Sequence, residues 1–159
     1  MCGIIGAASS RNVGKLLVQG LHKMEYRGYD SAGIALHQKD SIFNLKTLGK
    51  VKLLEDGMIQ ERPKSKLGIA HTRWATHDNR SNSAAIELRR VSQENAHPHA
   101  SSDEIHIVHN GIIENYLELR EQLTVSGYEF TSETDSEVIA HLLHQHFKVS
   151  GNLLDAMHA

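Results

Sequence analysis

The chain has 159 residues, of which 40% are hydrophobic and 23% are charged, a composition typical of one compact domain. Seventeen Lys and Arg residues against nineteen Asp and Glu residues leave a formal net charge of −2, so neither a nucleic acid nor an anionic membrane is expected as a partner. The single cysteine, Cys2, excludes an internal disulfide, and the opening residues resemble neither a signal peptide nor a membrane helix. We therefore expect a cytoplasmic protein.

The first half of the chain shows strand and helix patterns in turn. Residues 2–8 form a short apolar run typical of a strand, and apolar residues then recur at helical spacing over 13–24. The segments 31–37 and 41–48 have the pattern of two strands, and residues 67–76 indicate a further strand that runs into a loop. We therefore expect β-structure to dominate the middle of the chain.

The second half predicts one strand followed by helices. An alternating pattern at 105–108 stops at Asn110-Gly111, a dipeptide that favours a turn with positive φ. Residues 112–123 and 134–147 have helical spacing with one apolar face each. The second of these segments starts with a capping-box pattern, and the last residues of the chain indicate one more helix.

Cys2 can act as a nucleophile because of its position. Removal of the initiator Met1 makes Cys2 the amino terminus, with a thiol and a free α-amine on one residue. Unperturbed pKa values are about 8.5 for a thiol and about 7.7–8.0 for an α-amine, so the amine can take up the thiol proton directly or through one water. The alternative is that Cys2 is one more small apolar residue of a strand.

Two further pairs of residues suit acyl transfer from a substrate with charged ends. Asn110 and Gly111 offer an amide side chain beside a backbone N–H, which are the donors that an oxyanion requires. Arg73 and Asp135 lie beside regular elements and carry the charges that bind a carboxylate and an ammonium group. Taken singly, these residues also fit a turn, a surface ion pair and a helix cap.

Six motifs occur in the order and with nearly the spacing of a known family. They are "MCGIIG", "MEYRGYDSAG", "GIAHTRWATH", "NAHPH", "VHNGIIEN" and "SETDSEVIAHL". With these motifs, residues 2–147 resemble the glutaminase domain of the glutamine–fructose-6-phosphate aminotransferases, which form glucosamine 6-phosphate. Other class II amidotransferases share the N-terminal cysteine and the Asn-Gly pair, and their glutaminase domains are the near alternatives.

The resemblance implies the α+β fold of N-terminal-nucleophile hydrolases, an αββα sandwich of two antiparallel sheets. It also implies that Cys2 hydrolyses glutamine through a γ-glutamyl thioester with its own amine as the base. Asn110 and Gly111 would then hold the oxyanion. Arg73 would bind the α-carboxylate of glutamine, and Asp135 would bind its α-ammonium group.

The resemblance places four more residues near the glutamine. Thr76 and His77 would line the pocket, Trp74 would belong to the loop that covers it, and Arg27 would lie close to the nucleophile. No metal and no cofactor is expected. The ammonia would serve the synthesis of glucosamine 6-phosphate from fructose 6-phosphate.

The chain departs from the family pattern at two places. Asp78 stands where the family has Gly, and residues 78–94 form a longer connection in which 83–91 can form a short surface helix. The family's glutaminase domain also continues beyond Ala159 and is followed by sugar isomerase domains. We therefore expect residues 1–159 to be one truncated glutamine amidotransferase type-2 domain that lacks the isomerase domains and self-associates through uncovered strands.

Two other classes of function are open from the sequence. Twelve histidines, among them His141 and His144 at helical spacing, allow a metal site, although the cysteines and carboxylates of zinc sites are not evident at the usual spacings. A non-catalytic glutamine-binding or assembly fragment is the second alternative. Release of glutamate from glutamine by the purified protein separates this alternative from the enzyme.

Overall fold

The computed structural model describes residues 2–74 and 91–159, in which strands and helices are interspersed along the chain. The strands are β1 (Gly3–Ala8), β2 (Ser31–His37), β3 (Ile42–Leu48), β4 (Leu67–Arg73), β5 (His99–Ser101) and β6 (Ile105–Ile107). The helices are α1 (Gly14–Met24), α2 (Val51–Glu61), α3 (Tyr116–Val125), α4 (Glu137–Ser150) and α5 (Leu153–His158), and a 3₁₀ turn spans Glu25–Arg27.

The first four strands form one antiparallel sheet in the order β1-β4-β2-β3. β2 is a central strand and is buried at six of its seven positions. Because successive side chains point to opposite faces, Ile34 and Leu36 enter the core on one face, and Gly33 and Ala35 face the second sheet. Because both faces of β2 are buried, its sequence is a continuous apolar run and does not alternate between apolar and polar residues.

Helices α1 and α2 cover one face of this sheet. Leu17 and Leu21 of α1 and Leu54 of α2 are fully buried in the core against β2 and β4. Burying one such side chain stabilises the fold by roughly 1.5–3 kcal/mol. This layer fixes the ends of β1 and β4, where the candidate site lies.

The second sheet is the antiparallel hairpin β5–β6, which lies against the other face of the first sheet. A Cβ at Gly33 would collide with the carbonyl oxygen of His97, so glycine is needed for the segment before β5 to approach β2. Helix α4 packs on β5 and β6, with Val138 and Ala140 fully buried. The layers therefore run helix, sheet, sheet, helix, which confirms the predicted α+β class and its two stacked antiparallel sheets.

The predicted strands and helices lie within a few residues of their expected bounds, with two additions. Helix α2 and strand β5 are not predicted, because Gly57 interrupts the helical pattern of α2 and β5 is only three residues long. Within the described ranges, no helix has the length and hydropathy that crossing a membrane requires.

The capping-box prediction for α4 is wrong. The helix begins at Glu137, and its N-cap, Ser136, makes no side-chain capping bond. The Glu137 carboxylate accepts hydrogen bonds from the backbone N–H and hydroxyl groups of both Thr131 and Ser132. Burial acts to raise the pKa of Glu137, but these hydrogen bonds outweigh it and lower the pKa. A buried carboxylate needs partners, and here the preceding loop supplies them.

Candidate active site

Cys2 lies at the end of the first sheet where β1 begins and β4 ends. The antiparallel register pairs Gly3 with Thr72, so Cys2 lies opposite Arg73 on the neighbouring strand. The backbone N–H of Trp74 points at the sulfur of Cys2, with 3.4 Å between N and Sγ. The cysteine is partly exposed, which leaves the thiol accessible to a small substrate.

Arg73 ends strand β4 beside this cysteine. Its Nη1 donates a hydrogen bond to the backbone oxygen of Asn95 at 2.8 Å, which holds the guanidinium in place. Burial lowers the pKa of Arg73, whereas the charges of Cys2, Asp30 and Asp135 act to raise it. Because a guanidinium remains protonated in proteins, Arg73 provides a fixed positive charge within electrostatic reach of both Cys2 and Asp135.

The segment that contains Gly28 packs against Arg73 and Trp74. A Cβ at Gly28 would lie 2.8 Å from the carbonyl carbon of Arg73 and 2.9 Å from the nitrogen of Trp74. The N–H of Asp30 donates to the Arg73 oxygen at 3.1 Å, and the rings of Tyr29 and Trp74 meet edge to face with centroids 5.6 Å apart. The "EYRGYD" motif therefore supports the backbone that carries Arg73.

Asn110 and Gly111 follow β6 and are held from two sides. The Nε2 atom of His71, on β4, lies 2.8 Å from Oδ1 of Asn110. A Cβ at Gly111 would lie 2.6 Å from Nε2 of His109, so the histidine ring packs directly against this glycine. The predicted positive-φ turn is wrong for both residues, because the chain continues towards α3 instead of folding back as a hairpin.

Asp135 lies two residues before α4 and is bonded to the same loop. Its Oδ2 accepts a hydrogen bond from the backbone N–H of Ile113 at 2.7 Å. The hydroxyl of Ser136 donates to Oδ1 of Asp135 at 3.4 Å and lies 3.0 Å from Nδ1 of His109. These contacts tie the carboxylate to the loop that carries Asn110 and Gly111.

A row of three histidines lies between the two sheets. The ring centroids of His71 and His97 are 4.3 Å apart, and those of His97 and His99 are 4.4 Å apart. Burial lowers the pKa of His71 to about 4 and that of His99 to about 3, and it lowers the pKa of His97 well below its usual value. All three rings are therefore neutral at pH 7. His99 extends the row to the loop before Asp135 through a 2.9 Å contact with Thr134 Oγ1.

The structure brings six of the nine predicted site residues to one end of the sandwich, namely Cys2, Arg73, Trp74, Asn110, Gly111 and Asp135. Thr76, His77 and residues 78–90 of the predicted long connection lie outside the described residues. The backbone of Arg27 ends the 3₁₀ turn just before Gly28. The roles assigned to all these residues stay predictions at this point.

His71 is a residue of this region that the sequence pattern does not single out. It lies two positions before Arg73 on β4, and the period of two along a strand places both on the face opposite α1 and α2. That alternation is the signal that links His71 to the site. Its contact with Asn110 spans 39 positions in the chain, and no local pattern indicates it.

The histidines considered for a metal site have other partners. His141 Nδ1 lies 2.8 Å from Ser101 Oγ, and His144 Nε2 lies 3.0 Å from Oε2 of Glu104. Across residues 2–74 and 91–159, no group of three or more His, Cys, Asp or Glu side chains is arranged to hold a metal ion.

Comparison with known proteins finds a family model that matches about half of the chain and relatives that match nearly all of it. Residues 82–159 match the family model of a glutamine amidotransferase domain. The chain is also 51% identical over 158 residues to the glutamine–fructose-6-phosphate aminotransferase (isomerizing) of Legionella pneumophila strain Paris. Residues 82–159 therefore carry a glutamine amidotransferase domain. The chain is also 48% identical to the enzyme of the same name from Pseudomonas aeruginosa, and it spans 24% of the length of each of these relatives.

Two solved structures share the fold of this chain. The glutamine phosphoribosylpyrophosphate amidotransferase of B. subtilis, complexed with ADP and GMP, has a TM-score of 0.73 and 24% identity, covering 99% of this chain and 31% of that one. A structure described as the allosteric regulatory enzyme of purine biosynthesis has a TM-score of 0.74 and 26% identity, covering 99% of this chain and 32% of that one. These neighbours confirm the predicted N-terminal-nucleophile hydrolase fold.

Proposed function

We propose that this domain hydrolyses glutamine to glutamate and ammonia, and that the ammonia serves the synthesis of glucosamine 6-phosphate from fructose 6-phosphate. The observation that carries the proposal is the position of Cys2, with its sulfur 3.4 Å from the Trp74 nitrogen and close to the charge of Arg73. Relatives 46–51% identical to the chain, all named glutamine–fructose-6-phosphate aminotransferase, support the choice of acceptor.

The reaction would begin when Cys2 attacks the side-chain amide carbon of glutamine. After removal of Met1, the α-amine of Cys2 takes up the thiol proton, and a C–S bond forms. The tetrahedral intermediate then carries a negative oxygen, which the side-chain amide of Asn110 and the backbone N–H of Gly111 stabilise. The C–N bond breaks, and the nitrogen accepts the proton and leaves as ammonia. Water finally attacks the γ-glutamyl thioester, which releases glutamate and restores the thiol.

Charge complementarity would select an amino-acid substrate. The guanidinium of Arg73 binds the α-carboxylate of glutamine with two parallel hydrogen bonds, and the Asp135 carboxylate binds the α-ammonium group. The 2.7 Å bond from the Ile113 N–H supports this role of Asp135, because it fixes one carboxylate oxygen and so limits the rotation of the group. A substrate that lacks either charged group would leave one of these two residues without its counter-charge.

Other residues would complete the pocket. Thr76 and His77 line it, Trp74 belongs to the segment that covers the bound glutamine, and Arg27 lies near the nucleophile. The support for Trp74 is its edge contact with Tyr29 and its backbone approach to Cys2.

Glutamate release from glutamine tests the proposed function. Cys2→Ala should abolish release, and Asn110→Ala should lower kcat on the order of a hundredfold or more with little change in KM, the usual effect of losing an oxyanion donor. Asn44→Ala, at an exposed asparagine of β3, is the matched control and should behave as the wild type. Glutamate release by Cys2→Ala at the wild-type rate would refute the nucleophile. No release by the wild type would favour a non-catalytic glutamine-binding module.

The acceptor requires its own experiment, because one solved neighbour is named a glutamine phosphoribosylpyrophosphate amidotransferase and the other an enzyme of purine biosynthesis. The full-length protein that carries this domain should form glucosamine 6-phosphate from glutamine and fructose 6-phosphate. Consumption of phosphoribosylpyrophosphate instead would assign the domain to the purine-type amidotransferases.

A further inference from the structure

We propose that His71 is a positioning residue that fixes the orientation of the Asn110 side chain, so that the amide N–H group of Asn110 faces the substrate. The proposal rests on the proposed glutaminase function and adds one residue to it. Its basis is the 2.8 Å contact between Nε2 of His71 and Oδ1 of Asn110.

The surroundings of His71 make it a rigid partner. The residue is 1% exposed and lies on β4 between Ile4 of β1 and Gly33 of β2. The ring of His97 packs against it at a centroid distance of 4.3 Å. Asn110, in contrast, is exposed. A fixed ring therefore holds an exposed side chain that would otherwise be free to rotate.

The direction of this hydrogen bond decides what Asn110 offers to a ligand. A carbonyl oxygen only accepts, and a neutral imidazole has a single N–H, so the contact with Oδ1 requires the ring proton on Nε2. Because the bond occupies Oδ1, the NH₂ end of the amide is left for the ligand. If the ring proton were on Nδ1, Nε2 would accept from the amide nitrogen, and Asn110 would present an oxygen that repels an oxyanion.

The ring of His71 stays neutral over the range in which glutaminase chemistry would run. Burial lowers its pKa to about 4, the hydrogen bond with Asn110 acts to raise it, and the charges of Arg73 and His109 act to lower it. A neutral ring keeps one nitrogen free of a proton. The hydrogen bond between Nε2 and Asn110 therefore determines which of the two ring nitrogens of His71 holds the single proton.

Two amide substitutions separate positioning from packing. In His71→Gln the side-chain NH₂ can occupy the place of Nε2, whereas in His71→Asn the shorter side chain places its amide near Nδ1 and cannot reach Asn110. We expect His71→Gln to keep kcat within about fivefold of the wild type and His71→Asn to lower kcat about 10- to 100-fold. The fall in kcat for His71→Asn should not exceed the fall that follows removal of a complete oxyanion donor. KM should stay within about twofold, because Arg73 and Asp135 still bind the ends of glutamine.

A double-mutant cycle tests whether His71 acts through Asn110. Adding His71→Asn to Asn110→Ala should cause no further loss of kcat, because the side chain that His71 orients is already absent. Losses that multiply in the double variant would overturn the proposal. Equal kcat values for His71→Gln and His71→Asn would also overturn it, and thermal unfolding of each variant shows whether a loss reflects the fold instead.

The tautomer of His71 can be observed without any activity. Ring nitrogen chemical shifts of the wild-type protein, measured by NMR, should show a protonated Nε2 and an unprotonated Nδ1, and the Asn110→Ala variant should lose this preference. A proton on Nδ1 in the wild type would overturn the proposal even if glutamine is hydrolysed. The expected tautomer in a protein that does not hydrolyse glutamine would instead uphold the positioning of Asn110 and refute the proposed function.

Discussion

Acidification should destabilise this protein through the buried histidines between its two sheets. His71 and His99 are each 1% exposed, and burial lowers their pKa values to about 4 and about 3. A histidine in the unfolded chain has a pKa of about 6.5. The unfolded state therefore binds protons first as the pH falls. The stability that these residues contribute is fully present above about pH 6.5 and is lost as the pH falls towards the folded-state values.

The size of the loss follows from proton linkage. A group with a pKa of about 4 when folded and about 6.5 when unfolded lowers the free energy of unfolding by about 1.2 kcal/mol between pH 7 and pH 5.5. His99 adds about the same, because its folded-state pKa also lies well below this interval, so the two together cost about 2.5 kcal/mol. His97 acts in the same direction, since burial lowers its pKa as well.

Urea unfolding at pH 7 and pH 5.5 measures this loss. The wild type should lose at least about 2.5 kcal/mol between the two pH values. His97→Phe keeps a ring between His71 and His99 but cannot be protonated, so its loss should be smaller by about one histidine's share. His158→Ala, at an exposed histidine, should keep the wild-type loss. Equal stability of the wild type at both pH values, or an unchanged loss in His97→Phe, would refute the reasoning.

Three further predictions concern packing, the long connection and association. Gly33→Ala should lower the free energy of unfolding by about 1–3 kcal/mol or more, because its Cβ would meet the backbone oxygen of His97. The control Gly6→Ala, whose Cβ would have its nearest contact at 3.9 Å, should lower the free energy of unfolding by less in the same urea assay. Shortening 78–94 to the family's length should leave the Tm nearly unchanged and alter the KM for glutamine through the adjacent Trp74–His77 segment; a large fall in Tm at constant KM would contradict this. The 159-residue chain should elute from size-exclusion chromatography as an oligomer or aggregate, because a groove between the sheets and α5 is lined mainly by apolar side chains. Elution as a monomer that hydrolyses glutamine rapidly would contradict this prediction.

Much of the first sheet is predictable from the sequence because its signals are local. The segment 31–37 is apolar throughout and coincides with β2, whose two faces are both covered. The apolar spacing over 13–24 likewise marks α1, which buries one face on the sheet. Residue chemistry is enough to select Cys2, Arg73 and Asp135 as candidate site residues. Their proximity in the structure, however, depends on the register of β1 with β4 and on the loop before α4.

The remaining features depend on contacts between distant segments. The buried carboxylate of Glu137 accepts hydrogen bonds from Thr131 and Ser132 in the loop before α4, and these partners are not evident from the helical spacing of 134–147. The contact of His71 with Asn110 joins strand β4 of the first sheet to the loop that follows β6. Sequence periodicity reports which face of an element is apolar, but it does not report which residue of another sheet lies opposite.

The central claim is that Cys2 is the nucleophile of a glutaminase site, and covalent labelling tests it most directly. The protein is treated with an electrophilic glutamine analogue, and its intact mass and peptide masses are measured with and without excess glutamine. The proposed mechanism predicts a chain that lacks Met1 and carries one equivalent of label on the Cys2 peptide, with protection by glutamine and no label on Cys2→Ala. Label on another residue, or equal labelling of the wild type and Cys2→Ala, would contradict it.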